Sequence, residues 1–188
     1  FVDSYITDAV KCHQQTYLTD DRFPYWIIYR NEAFDEVADK MEFNVFKAYR
    51  DRVITKAITK NNGKIRVLKS RNIGNNEIVN IPDYDCYIDS IEGLDVAKYL
   101  NQANCVLLPY FTYNPRACFF PKGCIADGSV AILTLAKDDD IVTNEDLPFY
   151  ATDSFTKFYA IARNLGTRSL NIDNNSVFFF GKLKQQRI

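Results

Sequence analysis

"GKIRVLKSRNIGNN", residues 63–76, places four cations, Lys64, Arg66, Lys69 and Arg71, in eight positions of a 188-residue chain whose formal net charge is −1. Ile65, Val67, Leu68 and Ile73 give residues 64–73 the apolar content of a β-strand. Strict alternation puts Lys64 and Arg66 on one face and Lys69 and Arg71 on the other. The consecutive apolar pair Val67 and Leu68 suggests a bulge, one extra residue that resets the phase and turns all four cations to the same side. The stretch thereby poses two alternatives: a basic strand face solvated by water, or one that neutralises a bound anion.

The surrounding charge is distributed in blocks. Residues 52–76 contain no Asp or Glu but seven cations: Arg52, Lys56, Lys60, Lys64, Arg66, Lys69 and Arg71. Residues 83–95 then carry Asp83, Asp85, Asp89, Glu92 and Asp95 with no positive charge. Residues 96–126 lack acids and hold Lys98, Arg116 and Lys122 among many aromatics, residues 127–153 turn acidic, and residues 154–188 return to basic. Blocks of one sign assemble into local fields that the total charge conceals.

Further out, "YWIIYR" (residues 25–30) is a β-branched and aromatic run entered through Pro24 and reads as a strand. Residues 32–41 read as a helix. So does the segment bearing Phe46, Tyr49, Val53 and Ala57, on which Arg52, Lys56 and Lys60 would form a single cationic stripe stopped at Asn61–Gly63. Further strands are expected over residues 78–81, 84–88, 105–109, 117–120, 130–135 and 177–180. Helices are expected over residues 94–102 and 155–164, the latter capped by Asp153 or Ser154. A turn at Asp127–Gly128 feeds a buried strand. Many short strands with a few interspersed helices predict an α+β fold: one domain over residues 1–188, with a mixed, largely antiparallel sheet and a few packed helices.

The composition is that of a globular domain, 47% hydrophobic and 14% aromatic. No run approaches the roughly 18 apolar residues of a membrane span. Five cysteines without a CxxC pair argue against a disulfide scaffold or a zinc knuckle and for a reducing, cytoplasmic setting. The chain starts at Phe1 and its single methionine is Met41, which suggests a piece of a longer polypeptide.

Signatures of catalysis are sparse. His13 is the single histidine, too few for an HNH-type metal site. A PD…(D/E)xK nuclease needs two acids on magnesium and a lysine to position water. Pro82-Asp83 could open that motif, but Asp95-Val-Ala-Lys98 is one residue too long to complete it. Phosphate-cradling glycine loops and a GxSxG elbow are absent. Recognition chemistry remains, since Arg and Asn read guanine and adenine edges while Lys and Ser contact phosphates. It gathers in "RDRVITK" (50–56), "KSRNIGNN" (69–76), "TYNPRACFFPKG" (112–123) and "GTRSLNIDNNS" (166–176).

In that order, "FPYWIIYRN", "RDRVITKAI", "IRVLKSRNIG", "PDYDCYID" and "NPRACFFPKGCIADGSVAIL" through "YATDSFTKFYAIARNLGTRSLNIDNNSVFFFG" resemble the C-terminal target-recognition region of adenine-specific DNA methyltransferases. They are similar above all to the methylases of type IIS restriction–modification systems and to TaqI-like specificity domains. The resemblance runs over residues 23–181. It implies a module that binds double-stranded DNA and selects the site, while an upstream methyltransferase domain binds S-adenosylmethionine and transfers the methyl group. Residues 1–22 would link the two, and a cognate restriction endonuclease would be a further partner. The [ND]PP[YFW] adenine pocket and the glycine-containing cofactor turn of the family are absent, so no catalytic, cofactor or metal residue is assigned here.

Arg52, Lys56, Lys64, Arg66 and Lys69 are candidates for a phosphate-tracking surface. Arg71, Asn72, Asn114, Arg116 and Arg168 are candidates for base-edge contacts, and Arg50 and Lys122 complete the DNA-binding set. Two other classes compete with this reading: a restriction-endonuclease fragment, and a module that docks its basic blocks on an acidic protein.

Overall fold

A computed structural model describes residues 15–137, 140–165, 170–172 and 175–184. Helices α1 (Gln15–Leu18) and α2 (Glu32–Ala38) precede strands β1 (Met41–Glu42) and β2 (Phe46–Tyr49). Next come β3 (Ile65–Leu68), β4 (Cys86–Ile88), β5 (Val106–Pro109), β6 (Phe111–Thr112), β7 (Cys118–Phe119), β8 (Cys124–Ala126) and β9 (Val130–Leu135). Helices α3 (Asp146–Phe149) and α4 (Asp153–Ala162) lead to β10 (Leu170–Asn171) and β11 (Lys182–Leu183). Turns of 3-10 helix occupy Ser70–Asn72, Asp95–Tyr99 and Ser176–Phe179.

β5 sets the layering, because all four of its side chains are buried. It is one of the two inner strands of a four-stranded antiparallel sheet ordered β2-β9-β5-β7. Alternate residues of a strand face opposite sides. Val106 and Leu108, with Phe46, Ala131 and Leu133, join one core cluster with Phe34 and Val37 of α2 and Phe155 and Phe158 of α4. Leu107, with Cys118 and Ile132, joins a second cluster with Val67 and Leu68 of β3 and Ile125 of β8. The sheet is thus a partition between helices and a second, three-stranded sheet ordered β4-β3-β8. A strand buried on both faces reads as a continuous apolar run, which is what Val-Leu-Leu supplies. The pairing is antiparallel except between β3 and β8. The result is a single-domain α+β fold of mixed, largely antiparallel sheets with a few packed helices.

The helix ends follow from local chemistry. Asn31 accepts a hydrogen bond from the Phe34 N–H at 3.0 Å and starts α2. Thr152, one residue before the expected caps, accepts from the Phe155 N–H at 3.2 Å and starts α4.

Six expectations are corrected. Residues 64–73 do not form one bulged strand: β3 pairs in continuous register with β4 and β8, and the chain leaves it through the Ser70–Asn72 turn. Phe46 to Tyr49 is strand, not helix, because it extends the sheet along β9. The segment beyond is held by the buried Asp51 carboxylate, which accepts from the Val53 and Ile54 N–H groups at 2.8 and 2.7 Å. Residues 25–30 form no strand, since their backbone is bonded elsewhere: the Ile27 N–H donates to the Leu18 carbonyl and the Ile28 N–H to Asn164 Oδ1, while the Trp26 carbonyl accepts from Asn164 Nδ2. Residues 78–81 make only an isolated bridge, and Ser176–Phe179 and Asp95–Tyr99 are 3-10 helix where a strand and an α-helix were expected.

Because both faces of β5 are packed, Leu107→Ala and Leu108→Ala should each lower the unfolding free energy by about 2–5 kcal/mol in urea titrations. A near-neutral result for either would show that its side of the sheet is not a core.

Candidate nucleic-acid interface

Charge in the three-stranded sheet is decided by the pairing of β3 with β4, which brings the basic block of the sequence against the acidic one. Arg66 of β3 is mostly buried. Its Nη2 bonds the Asp85 carboxylate at 2.8 Å and the Val79 carbonyl at 3.2 Å, and its Nη1 bonds Asn80 Oδ1 at 2.6 Å. Asn72 is fully buried and donates to the other Asp85 oxygen at 2.6 Å and to the Val79 carbonyl at 3.0 Å, while accepting from the Lys69 N–H at 2.9 Å. The assignment of Arg66 to phosphates and of Asn72 to a base edge is therefore corrected. Both polar groups are consumed in fastening the Ser70–Asn72 turn to the sheet.

At the beginning of β3, Lys60 pairs with Asp89 at 2.6 Å. The Lys60 ammonium, reinforced by Lys64, holds the exposed Asp89 carboxyl below its usual range. Lys64 remains exposed beside that acid, and Lys122, just before β8, is exposed near this end because β8 runs parallel to β3. Lys56 is exposed on the irregular segment leading to Lys60; Arg52, Lys56 and Lys60 share no helix.

The other end of β3 is different. Lys69 Nζ lies 3.8 Å and Arg71 Cζ 4.8 Å from the centroid of the Tyr84 ring, so one aromatic face holds two cations together. The Ser70 N–H between them donates to Ser129 Oγ at 2.9 Å, tying this turn to the Asp127–Gly128–Ser129 turn that joins β8 and β9. Ser129 in turn donates to Asp127 Oδ1 through both its hydroxyl and its N–H. Arg50 donates from Nε to the Gly128 carbonyl, and its guanidinium lies over Tyr110 at 3.9 Å. Gly128 admits no side chain, because a Cβ there would stand 2.5 Å from the Asp51 carbonyl oxygen. Arg50, Arg52, Tyr49 and Tyr110 line an open depression of about 280 Å³ floored by Ala131 and Ile172.

Arg116 joins this end from a third segment. Its Nε donates to the Ile73 carbonyl at 2.6 Å, Nη2 to the Ser70 carbonyl at 3.2 Å and Nη1 to Thr112 Oγ1 at 3.0 Å. Burial pushes its guanidinium below the usual arginine range. Among the described residues no carboxylate pairs with Arg50, Arg52, Lys69, Arg71 or Arg116. Asn114 presents an exposed side chain two residues before Arg116. Arg168 lies outside the described residues.

No protein-family model matches this chain, and no curated protein matches it.

Of the sequence-derived candidates, Arg50, Arg52, Lys69, Arg71, Asn114 and Arg116 meet at one end of the sheet. Lys64 and Lys122 stand toward the opposite end, and Lys56 lies on the irregular segment before Lys60. Sequence reasoning missed Tyr84, Tyr110, Phe111, Tyr113 and Ser129. The aromatic run Tyr110-Phe111-Thr112-Tyr113, abutting Asn114-Pro115-Arg116, was the available signal.

Among the described residues no three His, Cys, Asp or Glu side chains gather as a metal site. Burial pushes the Cys105 thiol up to about 11 and the Cys118 thiol up to about 12, which disfavours the nucleophilic thiolate.

Removing one member of a largely buried ion pair leaves the other uncompensated. Asp85→Ala should therefore cost on the order of 3 kcal/mol in urea titrations and free the Ser70–Asn72 turn, whereas Asp89→Ala should leave the urea midpoint in place. Equal tolerance of both changes would contradict the division of the basic stretch described above.

Proposed function

We propose that this chain is the target-recognition module of an adenine-specific DNA methyltransferase in a type II, type IIS-like restriction–modification system. In this reading it binds duplex DNA in the cytoplasm and selects the site. S-adenosylmethionine and the methyl transfer belong to an upstream domain of the parent protein, and a cognate endonuclease cuts the same sequence.

One observation carries the proposal. Five cations from three separated segments (Arg50 and Arg52, Lys69 and Arg71, Arg116) meet around the Gly128–Ser129 turn with no carboxylate pairing them among the described residues. Like charges gathered without direct ion pairs repel one another, and an anionic partner relieves that repulsion. A polyphosphate backbone does so over the distance that five such groups cover, and releases counterions as it does.

The roles divide by how each cation is held. Lys69 and Arg71, stacked on Tyr84 with exposed or half-exposed heads, suit phosphates. Arg50 and Arg52 flank the depression beside Tyr110. Arg116 positions two loops by bonding Ser70, Ile73 and Thr112, while its half-buried charge adds to the field.

Titrations of duplex DNA at several salt concentrations test this. The wild-type affinity should fall steeply with salt, and Lys69→Ala/Arg71→Ala should flatten the log–log slope by roughly 2, about 0.9 for each phosphate that is no longer neutralised. Lys64→Ala should leave the slope nearly unchanged. Absence of binding at about 50 mM salt, where phosphate interactions are strong, would overturn the proposal.

A further inference from the structure

Of the described aromatic side chains only three are well exposed: Trp26, Phe111 at 57% and Tyr113 at 72%. The last two lie on either side of buried Thr112, in an exposed–buried–exposed alternation that turns both rings away from the core. They do not belong to a loose loop. Thr112 pairs with Leu170 of β10, and its hydroxyl donates to the Asn114 carbonyl at 2.6 Å while accepting from Arg116 Nη1 at 3.0 Å. Pro115, buried, fixes the chain just beyond. The two rings are therefore held out in water by a pinned turn.

Their surroundings are cationic. Phe111 stands edge-on to Tyr110, 4.7 Å between centroids and 89° between planes, and Tyr110 carries the Arg50 guanidinium on its face. Arg116 braces the turn from the other side through Thr112. Exposed π-faces between two arginines that no carboxylate neutralises match a nucleobase attached to its own phosphates: the ring stacks and the flanking charges hold the backbone. A continuous duplex offers no base face for stacking, whereas an unstacked base does.

We propose that Phe111 and Tyr113 form a stacking platform for a base displaced from the helix, so that the chain prefers DNA containing an unstacked base over an unbroken duplex. This deepens the DNA-binding reading and rests on it. Pre-ordering of the turn matters, because rings already fixed in place lose little conformational freedom on binding.

The test uses two otherwise identical duplexes, one continuous and one with 2-aminopurine opposite an abasic position, titrated by anisotropy and by 2-aminopurine fluorescence. Wild type should bind the interrupted duplex about ten-fold more tightly, within the range of a single base–aromatic stack, and quench its fluorescence. Phe111→Ala/Tyr113→Ala should bring the two affinities to within roughly two-fold while leaving the salt slope on the continuous duplex unchanged, since that slope comes from phosphate neutralisation. Tyr113→Trp should keep the preference, and so should Trp26→Ala, which removes the exposed ring elsewhere. Equal wild-type binding to both duplexes, or a preference that survives the double substitution, would overturn the platform and leave the DNA-binding reading standing. Failure of wild type to bind either DNA would overturn both.

Discussion

The carboxylate of Asp85 is the charge on which the arrangement of the basic stretch depends. One oxygen takes Arg66 and the other takes Asn72, and through Asn72 it reaches the Lys69 backbone. Arg66 thereby becomes part of the sheet, and the chain turns sharply after Leu68 instead of running on as a strand. Lys69 and Arg71 are carried past Asp85 onto the Tyr84 ring. The stretch is thus neither wholly a solvated face nor wholly a binding surface: its centre is neutralised internally and its far end is not.

The same logic explains why neighbouring blocks of opposite charge coexist in a nearly neutral chain. Antiparallel strands place side chains of two segments in direct cross-strand contact, where opposite charges stabilise and like charges do not. The basic residues through Arg66 and the acids Asp85 and Asp89 become neighbours through β3 and β4. What remains uncancelled lies beyond the ladder, where Ser129, Gly128 and Arg116 draw in cations from two further segments. Position relative to the paired strands, more than the number of cations, decides where the field emerges.

Elements whose burial is one-sided or complete were legible in the sequence. β9 occupies the expected residues 130–135, β5 and β7 lie inside their expected runs, and α4 shows its helical apolar period over Asp153–Ala162. The errors have a common cause, which is that apolar spacing says nothing of a backbone's partner. Phe46, Tyr49, Val53 and Ala57 fit a helix until β9 offers four residues of ladder to the first of them. "YWIIYR" has strand composition, but its backbone is claimed by Leu18 and Asn164. In the site, half-exposed Lys69 and exposed Arg71 could be read locally. The burial of Arg66 and Asn72 could not, because it depends on an acid 13 or more residues away.

In the proposed reading, DNA would contact the end of the sheet where Ser70, Ser129 and Arg116 meet, and not the end where Lys60 and Lys64 face Asp89. Amide hydrogen exchange of the chain with and without duplex DNA measures this most directly. Slowed exchange over residues 69–73, 110–116 and 127–130, with residues 60–65 and 87–90 unchanged, is the expected result. Slowing confined to residues 60–65 and 87–90, or no change at saturating DNA, would contradict it.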